Sequence, residues 1–170
     1  MPTHSVREFV PESVPSDMEQ LLPAYLGIWN VAESLKFLSY SLRPYEENIV
    51  RGWLQDHISF GVRYFAATDD QNSVLGICVI RTDALGAFEI LGLGVRPDAK
   101  GHGLGRELLS HALTLARSEG VTCVEASVFA DNARMLRLVL SLDFVPVRID
   151  YHRRADGADS VVLHHRIYDR

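Results

Sequence analysis

The stretch VRPDAKGHGLGREL, residues 95–108, places Gly101, Gly103 and Gly105 within five positions. An apolar extended run, AFEILGLGV (87–95), leads into it. An amphipathic run follows it, with Leu104, Leu108, Ala112 and Leu115 along one face and Leu109, Leu113 and Ala116 beside them. This spacing predicts a strand, a tight glycine loop and a helix that ends at Gly120. Such a junction leaves backbone N–H groups unpaired at the positive end of a helix, which is an anion site. Glycine lets the chain turn sharply there and lets a phosphate come close.

Two familiar phosphate loops do not fit. A Walker loop ends in Gly-Lys-Ser/Thr, whereas this loop continues Gly105-Arg106-Glu107. A dinucleotide fingerprint reads G-x-G-x-x-G; the spacing of Gly101, Gly103 and Gly105 is G-x-G-x-G.

The rest of the chain supplies a mixed α/β order. VREFV (6–10) reads as a first strand. Ser16 and Glu19 have capping-box spacing, so a helix is expected from near Asp17, with Pro23 in its early part or bending it. A second helical stretch is expected at about 30–38. A third follows Pro44, with Ile49, Trp53 and Leu54 on one face. VRYFAAT (62–68) and VLGICVI (74–80) form a hairpin around DDQNS. The turn TDALG leads into 87–95, where Gly92 and Gly94 mark a bulge or a close backbone approach. A strand at 121–128, a short helix at 132–142 and a closing hairpin around ADGAD complete the order. At 170 residues with no internal repeat, the expectation is one domain, 1–170. Within it, 1–60 carries the first strand and helices, 62–147 the central unit, and 144–167 the final hairpin.

A net charge of −5 argues against a general nucleic-acid binder. No run is long enough to span a bilayer, and MPTHSVREFVPESVPSD has no apolar centre of signal-peptide length. No membrane partner is expected, and a cytoplasmic location is the default. Cys78 and Cys123 lie in apolar strand-like runs and read as buried, reduced thiols. His164 and His165 lack acidic or Cys partners at ligand spacing, so no metal is expected.

LGVRPDAKGHGLGRELL resembles the acyl-CoA pyrophosphate loop of the GNAT superfamily of N-acyltransferases, whose pattern is Arg/Gln-x-x-Gly-x-Gly/Ala. Val95 and Pro97 lie in the lead-in; Lys100, Gly103 and Gly105 occupy the pattern positions, with Lys100 a departure. VEASVFADNARMLRLVLSLDF resembles the second signature of that family: a strand, an Asn, then a short helix ending at an aromatic. The resemblance covers about 62–147.

It implies an α/β fold, an α+β mixed sheet that is mostly antiparallel, splayed between the strands at about 87–95 and 121–128, with helices on both faces. It implies acetyl-CoA as acyl-donor co-substrate. Leu93, Gly94, Val95, Lys100, Gly101, His102, Gly103, Leu104, Gly105, Arg106 and Asn132 would contact it. Asn132 is equally well placed as a helix N-cap. The implied activity is N-acetyltransfer to a primary amine by direct attack in a ternary complex. Glu89, eleven residues before Lys100, stands where some members carry a catalytic base; the other reading leaves it at the strand's open end, facing solvent or paired with Arg81 across the meander. The Tyr that many members place seven residues after the Asn is here Val139, and the usual Gly before the closing aromatic is Asp143. Tyr151, and also Ser141, are stand-ins for the acid. These departures keep open a non-catalytic acyl-CoA-binding or sensing module, and the glycines keep open a nucleotide-phosphate binder.

The acceptor, an amine of a small molecule, peptide or protein, is not specified. Tyr25, Trp29, Phe37, Tyr40, Tyr45, Trp53, Phe60, Tyr64 and Phe65 crowd into 25–65, as core or as pocket walls. Glu46, Glu47 and Asp56 would favour a cation or form a solvated face, while Arg153 and Arg154 in the final hairpin would favour an anion. Family members commonly form dimers, so a homodimer is one expected assembly.

Overall fold

The computed structural model describes residues 4–83 and 86–167. Residues 84 and 85, part of the expected TDALG turn, lie outside the described residues. Seven strands form one sheet: β1 His4–Phe9, β2 Val62–Asp69, β3 Val74–Thr82, β4 Phe88–Val95, β5 Cys123–Phe129, β6 Val145–Asp150 and β7 Ser160–Arg166. Their order is β1-β2-β3-β4-β5-β7-β6. Five helices join them: α1 Pro15–Trp29, α2 Ala32–Leu38, α3 Glu47–Gln55, α4 Leu104–Ser118 and α5 Ala133–Leu140. Every strand pair is antiparallel except β4–β5, where the α4 crossover makes the pair parallel.

Both faces of the sheet are covered. On one side α4 buries Leu104, Leu108, Leu109, Ala112, Leu113 and Ala116 against Ile80, Phe88, Ile90 and Val124. On the other, α1 and α3 bury Leu21, Ile28, Val50 and Leu54 with Tyr64 and Ile77.

Two features of β4 position the site. It pairs with β5 over only three residues, Phe88, Glu89 and Ile90, and then the two strands diverge. Opposite β3, Val79 pairs with Gly92 while Ile80 pairs with Ile90, so Leu91 is an extra, unopposed residue. This is the bulge, and it falls where the splay begins.

Several local expectations are corrected. The capping box at Ser16 does not form. Helix α1 starts at Pro15, with Val14 at its N-cap. The fixed φ of Pro15 suits a first helical position. The Asp17 carboxylate accepts instead from the Val10 N–H at 2.8 Å and from Arg7 at 2.9 Å. Helix α3 begins three residues after Pro44 and buries Val50 and Leu54, leaving Ile49 and Trp53 exposed. Strand β5 begins at Cys123 because the Val121 N–H closes α4 by donating to the Ala116 carbonyl at 2.9 Å. Helix α5 ends at Leu140, where the chain turns through Asp143 at φ 62°.

Candidate active site

The glycine loop is built as its sequence requires. Gly101 and Gly103 have φ of 87° and 84°, left-handed values open to glycine, and a Cβ at either would meet no atom within 4 Å. Gly103 is the N-cap of α4, and the first helical hydrogen bond runs from the Glu107 N–H to the Gly103 carbonyl at 3.1 Å. The N–H groups of Leu104, Gly105 and Arg106 precede that bond and have no helical acceptor. The loop therefore offers an open cradle of donors at the positive end of a fifteen-residue helix.

A cavity of about 500 Å³ runs from this cradle into the gap between β4 and β5. That is ample for an extended ligand arm. One wall is β4 from Ile90 to Val95, another is Ala126–Phe129 of β5, and Met135 and Leu138 of α5 close the floor. Residues Glu33, Ser34, Phe37 and Leu38 of α2 form the opposite rim. The short pairing of β4 with β5 makes the cavity.

Most of the residues expected to hold the acyl donor line this space: Leu93, Gly94, Val95, Lys100, Gly101, Gly103, Leu104, Gly105, Arg106 and Asn132. His102 is not among them; it is exposed, and its Nδ1 lies 3.4 Å from the Ala99 carbonyl. Lys100 pairs with Glu33 of α2 at 3.1 Å, across the cavity mouth. Asn132 is the N-cap of α5, its side-chain oxygen accepting from the Met135 N–H at 3.1 Å, and it also lines the cavity. Arg106 donates to Ser141 at 2.6 Å, which ties the loop to the end of α5.

Glu89 pairs with Arg81, its register partner on β3, as one of the two sequence readings anticipated. Its side chain is 25% exposed. Arg81 in turn lines a second pocket of about 400 Å³, on the α1–α3 face. The two cavities share Leu91 and Gly92, the bulge. Around the second pocket stand Tyr25, Trp29, Trp53, His57, Phe60 and Tyr64. Tyr25 and Trp29 stack at 4.2 Å. Burial pushes the Tyr25 phenol well above its ordinary range and the Tyr64 phenol up to about 12, so both remain neutral O–H groups.

Other expected participants lie elsewhere. Tyr151 is 68% exposed beyond the end of β6 and lines neither pocket. Val139 is buried in the core under α4, so no acid reaches the cavity from that position. Ser141 is held by Arg106 and donates to the Leu138 carbonyl at 2.7 Å. Arg154 is buried and already neutralised: it binds Asp131 at 3.0 and 2.7 Å, Asp156 at 2.8 and 3.0 Å, and the Lys36 carbonyl at 3.0 Å. It fastens the final hairpin to α2 and is not offered to an anionic acceptor. Arg153 stacks over Tyr40 at 5.7 Å. Of the aromatic run, Phe37 faces the first cavity and Phe65 the α4-side core.

Sequence reasoning passed over Leu91, His57 and, apart from Phe37, the α2 rim. The glycine pair beside Leu91 signalled the bulge without fixing its register. Nothing in the sequence marked His57.

The family model described as the acetyltransferase (GNAT) family matches residues 25–144. The chain belongs to the GNAT acetyltransferase family. A mycothiol acetyltransferase of Beutenbergia cavernae is 37% identical over 81 residues, which take in 48% of this chain and 27% of that protein. The chain thus spans well under half the length of that curated relative. An N-acetyltransferase from Staphylococcus aureus Mu50 superposes with a TM-score of 0.77 at 17% identity, over 96% of this chain and 98% of that one. A structure from Salmonella typhimurium that holds acetyl-CoA as its cofactor superposes with a TM-score of 0.75 at 19% identity, covering 99% and 96% of the two chains. The GNAT fold accounts for the splayed sheet. Among the described residues, no helix is long and apolar enough to cross a membrane, and no group of three or more His, Cys, Asp or Glu is placed to hold a metal ion.

Proposed function

We propose that this GNAT protein transfers the acetyl group of acetyl-CoA to a primary amine, with both bound at once. One observation carries the reading: the cradle of backbone donors opens directly into the gap left by the diverging β4 and β5. Unhindered positive-φ glycines beside unpaired N–H groups suit a pyrophosphate. Beyond Ile90, β4 has no β5 partner, so its backbone edge is free to pair with an amide-bearing arm. Acetyl-CoA supplies the activated thioester.

The chain's residues would then act as follows. Gly101 to Arg106 hold the pyrophosphate, and Leu93 to Val95 align the arm. Asn132 lies along the same arm. The acceptor amine enters from the second pocket at Leu91–Gly92, where the cavities meet. An attacking amine must shed a proton. Glu89 is the proposed base, drawing the proton through a water relay: it lines neither pocket itself and is held beside the second one by its ion pair with Arg81. Tyr151 is not retained as an acid, since it lines neither pocket.

The curated relative's name points to a small-molecule acceptor, but that match takes in only 27% of that protein. An amine acceptor is therefore proposed without carrying over its substrate. A protein drawing on acetyl-CoA works where that thioester is held, and the cytoplasm is the proposed location.

The test is free-thiol release from acetyl-CoA over a panel of amines, amino acids, aminoglycosides and peptides, with product masses measured. Turnover with an amine is the expected result. The burial of Val139, where many members carry a Tyr, favours a second reading, a sensing module that binds acyl-CoA without turning it over. That module would bind acetyl-CoA and release no thiol with any acceptor.

A further inference from the structure

Of the charged side chains lining the first cavity, Lys100, Arg106 and Arg134 are cations. In a chain of net charge −5 this is a local reversal, suited to an anionic ligand. Arg106 donates to the Ser141 hydroxyl, and neither it nor Arg134 has a carboxylate partner among the described residues. Glu33 is the exception, the one acid among the described lining residues. Its carboxylate lies 3.1 Å from the Lys100 ammonium. Lys100 directly precedes Gly101, where the glycine cradle begins. An acid at the mouth of a phosphate site opposes binding by like-charge repulsion.

The two ends of α2, which carries Glu33, are fastened differently. Toward the C-terminal end the buried Arg154 donates to the Lys36 carbonyl at 3.0 Å, and the Lys36 ammonium meets Asp131 at 2.9 Å. Just beyond the helix, the Ala155 N–H donates to the Tyr40 carbonyl at 2.8 Å. Near the N-terminal end stands the Glu33–Lys100 pair, whose acid is 66% exposed. A water-facing ion pair of this kind is weak and exchanges readily. Lys100 is only 20% exposed and lines the cavity, so it can change partners where it stands.

We infer that Glu33 competes with the acyl donor's phosphates for Lys100, and so sets how tightly the cavity holds CoA and its thioesters. A phosphate in the cradle draws the ammonium away from Glu33 and leaves that carboxylate facing a like charge. The pair re-forms as CoA, a product with the same phosphates, departs. Glu33 thus favours product release at the expense of donor affinity. The inference rests on the acetyltransferase reading above.

The test is calorimetric titration of the native protein and of Glu33→Gln, with CoA and with pantetheine, which lacks the phosphates. The substitution keeps the side chain's size and removes its charge, while α2 stays anchored through Lys36. Glu33→Gln is expected to bind CoA about five-fold more tightly, the upper worth of an exposed ion pair, and to bind pantetheine as the native protein does. In a Lys100→Met background the same substitution should gain less than about two-fold, because no ammonium is left to contest.

An unchanged or lower affinity of Glu33→Gln for CoA overturns the inference. An equal shift for CoA and pantetheine also overturns it, since that is what a purely structural role in α2 would give. The full gain in the absence of Lys100 overturns it as well, because the effect would then owe nothing to competition. If the native protein binds no CoA, the acetyltransferase reading fails. If it binds CoA and Glu33→Gln gains nothing, only the role of Glu33 fails.

Discussion

A Cβ on Gly94 would collide with the Cγ2 of Ile28. Helix α1 thus presses directly on the backbone of β4, in the strand segment that lines the first cavity. A Cβ at Gly92 would likewise lie 3.1 Å from the Trp29 ring. These glycines admit a helix against the strand. Gly94→Ala must displace Ile28 and Trp29, and overpacking of this kind costs about 1–3 kcal/mol. Urea unfolding should show a lower midpoint at unchanged slope.

Asp143 takes over a conformation suited to glycine. Its φ is 62°, and the Phe144 N–H just beyond it returns to the Val139 carbonyl at 3.2 Å. Aspartate tolerates this region better than most residues but still bears strain. Asp143→Gly is expected to raise stability by about 0.5 kcal/mol, seen as a small increase in melting temperature. The departure from the family pattern at 143 is therefore conformationally silent.

Glu89→Gln separates chemistry from binding. Loss of a general base typically lowers the rate by about 100-fold or more. The expected result is that fall in kcat, with the affinity for acetyl-CoA unchanged, because Glu89 lines neither cavity. Steady-state kinetics with calorimetric binding of acetyl-CoA checks both halves.

The Arg154 knot predicts an acid limit to stability. The Arg154 guanidinium, and secondarily Lys36, hold the Asp131 carboxyl well below the ordinary aspartate range. A depressed carboxylate stabilises the fold above its unfolded value, about 3.9, and that contribution is lost as pH falls through the lower native value. The Asp131 side chain is 37% exposed, so solvent screening limits the effect to about 1 kcal/mol. Asp131→Asn should lower stability at neutral pH and flatten its decline below pH about 4, measured by urea unfolding at several pH values.

Much of this architecture was readable in advance, for physical reasons. The loop at 101–106 and the amphipathic face of α4 are local properties, fixed by glycine freedom and a 3.6-residue period. They gave the strand–loop–helix junction, and the loop and strand named from the family resemblance line the first cavity. The failures are mostly tertiary. Ser16 lost its cap because Pro15 already began the helix and Asp17 served β1 instead. Arg154 looked like a free cation until Asp131, from the loop after β5, closed on it beside its near neighbour Asp156. His57 became notable only when folding placed its ring in a pocket wall and left Nε2 unpaired. No short-range pattern encodes those meetings.

The central claim is that the loop from Gly101 to Arg106 binds the pyrophosphate of an acyl-CoA. Calorimetric titration with CoA and with pantetheine, which lacks the pyrophosphate, tests it most directly. Two charge-assisted hydrogen bonds at about 1.5 kcal/mol each amount to about 100-fold in affinity. The account predicts that CoA binds tighter than pantetheine by at least that factor. Equal affinities would contradict it, because the glycine cradle would then contribute nothing to binding.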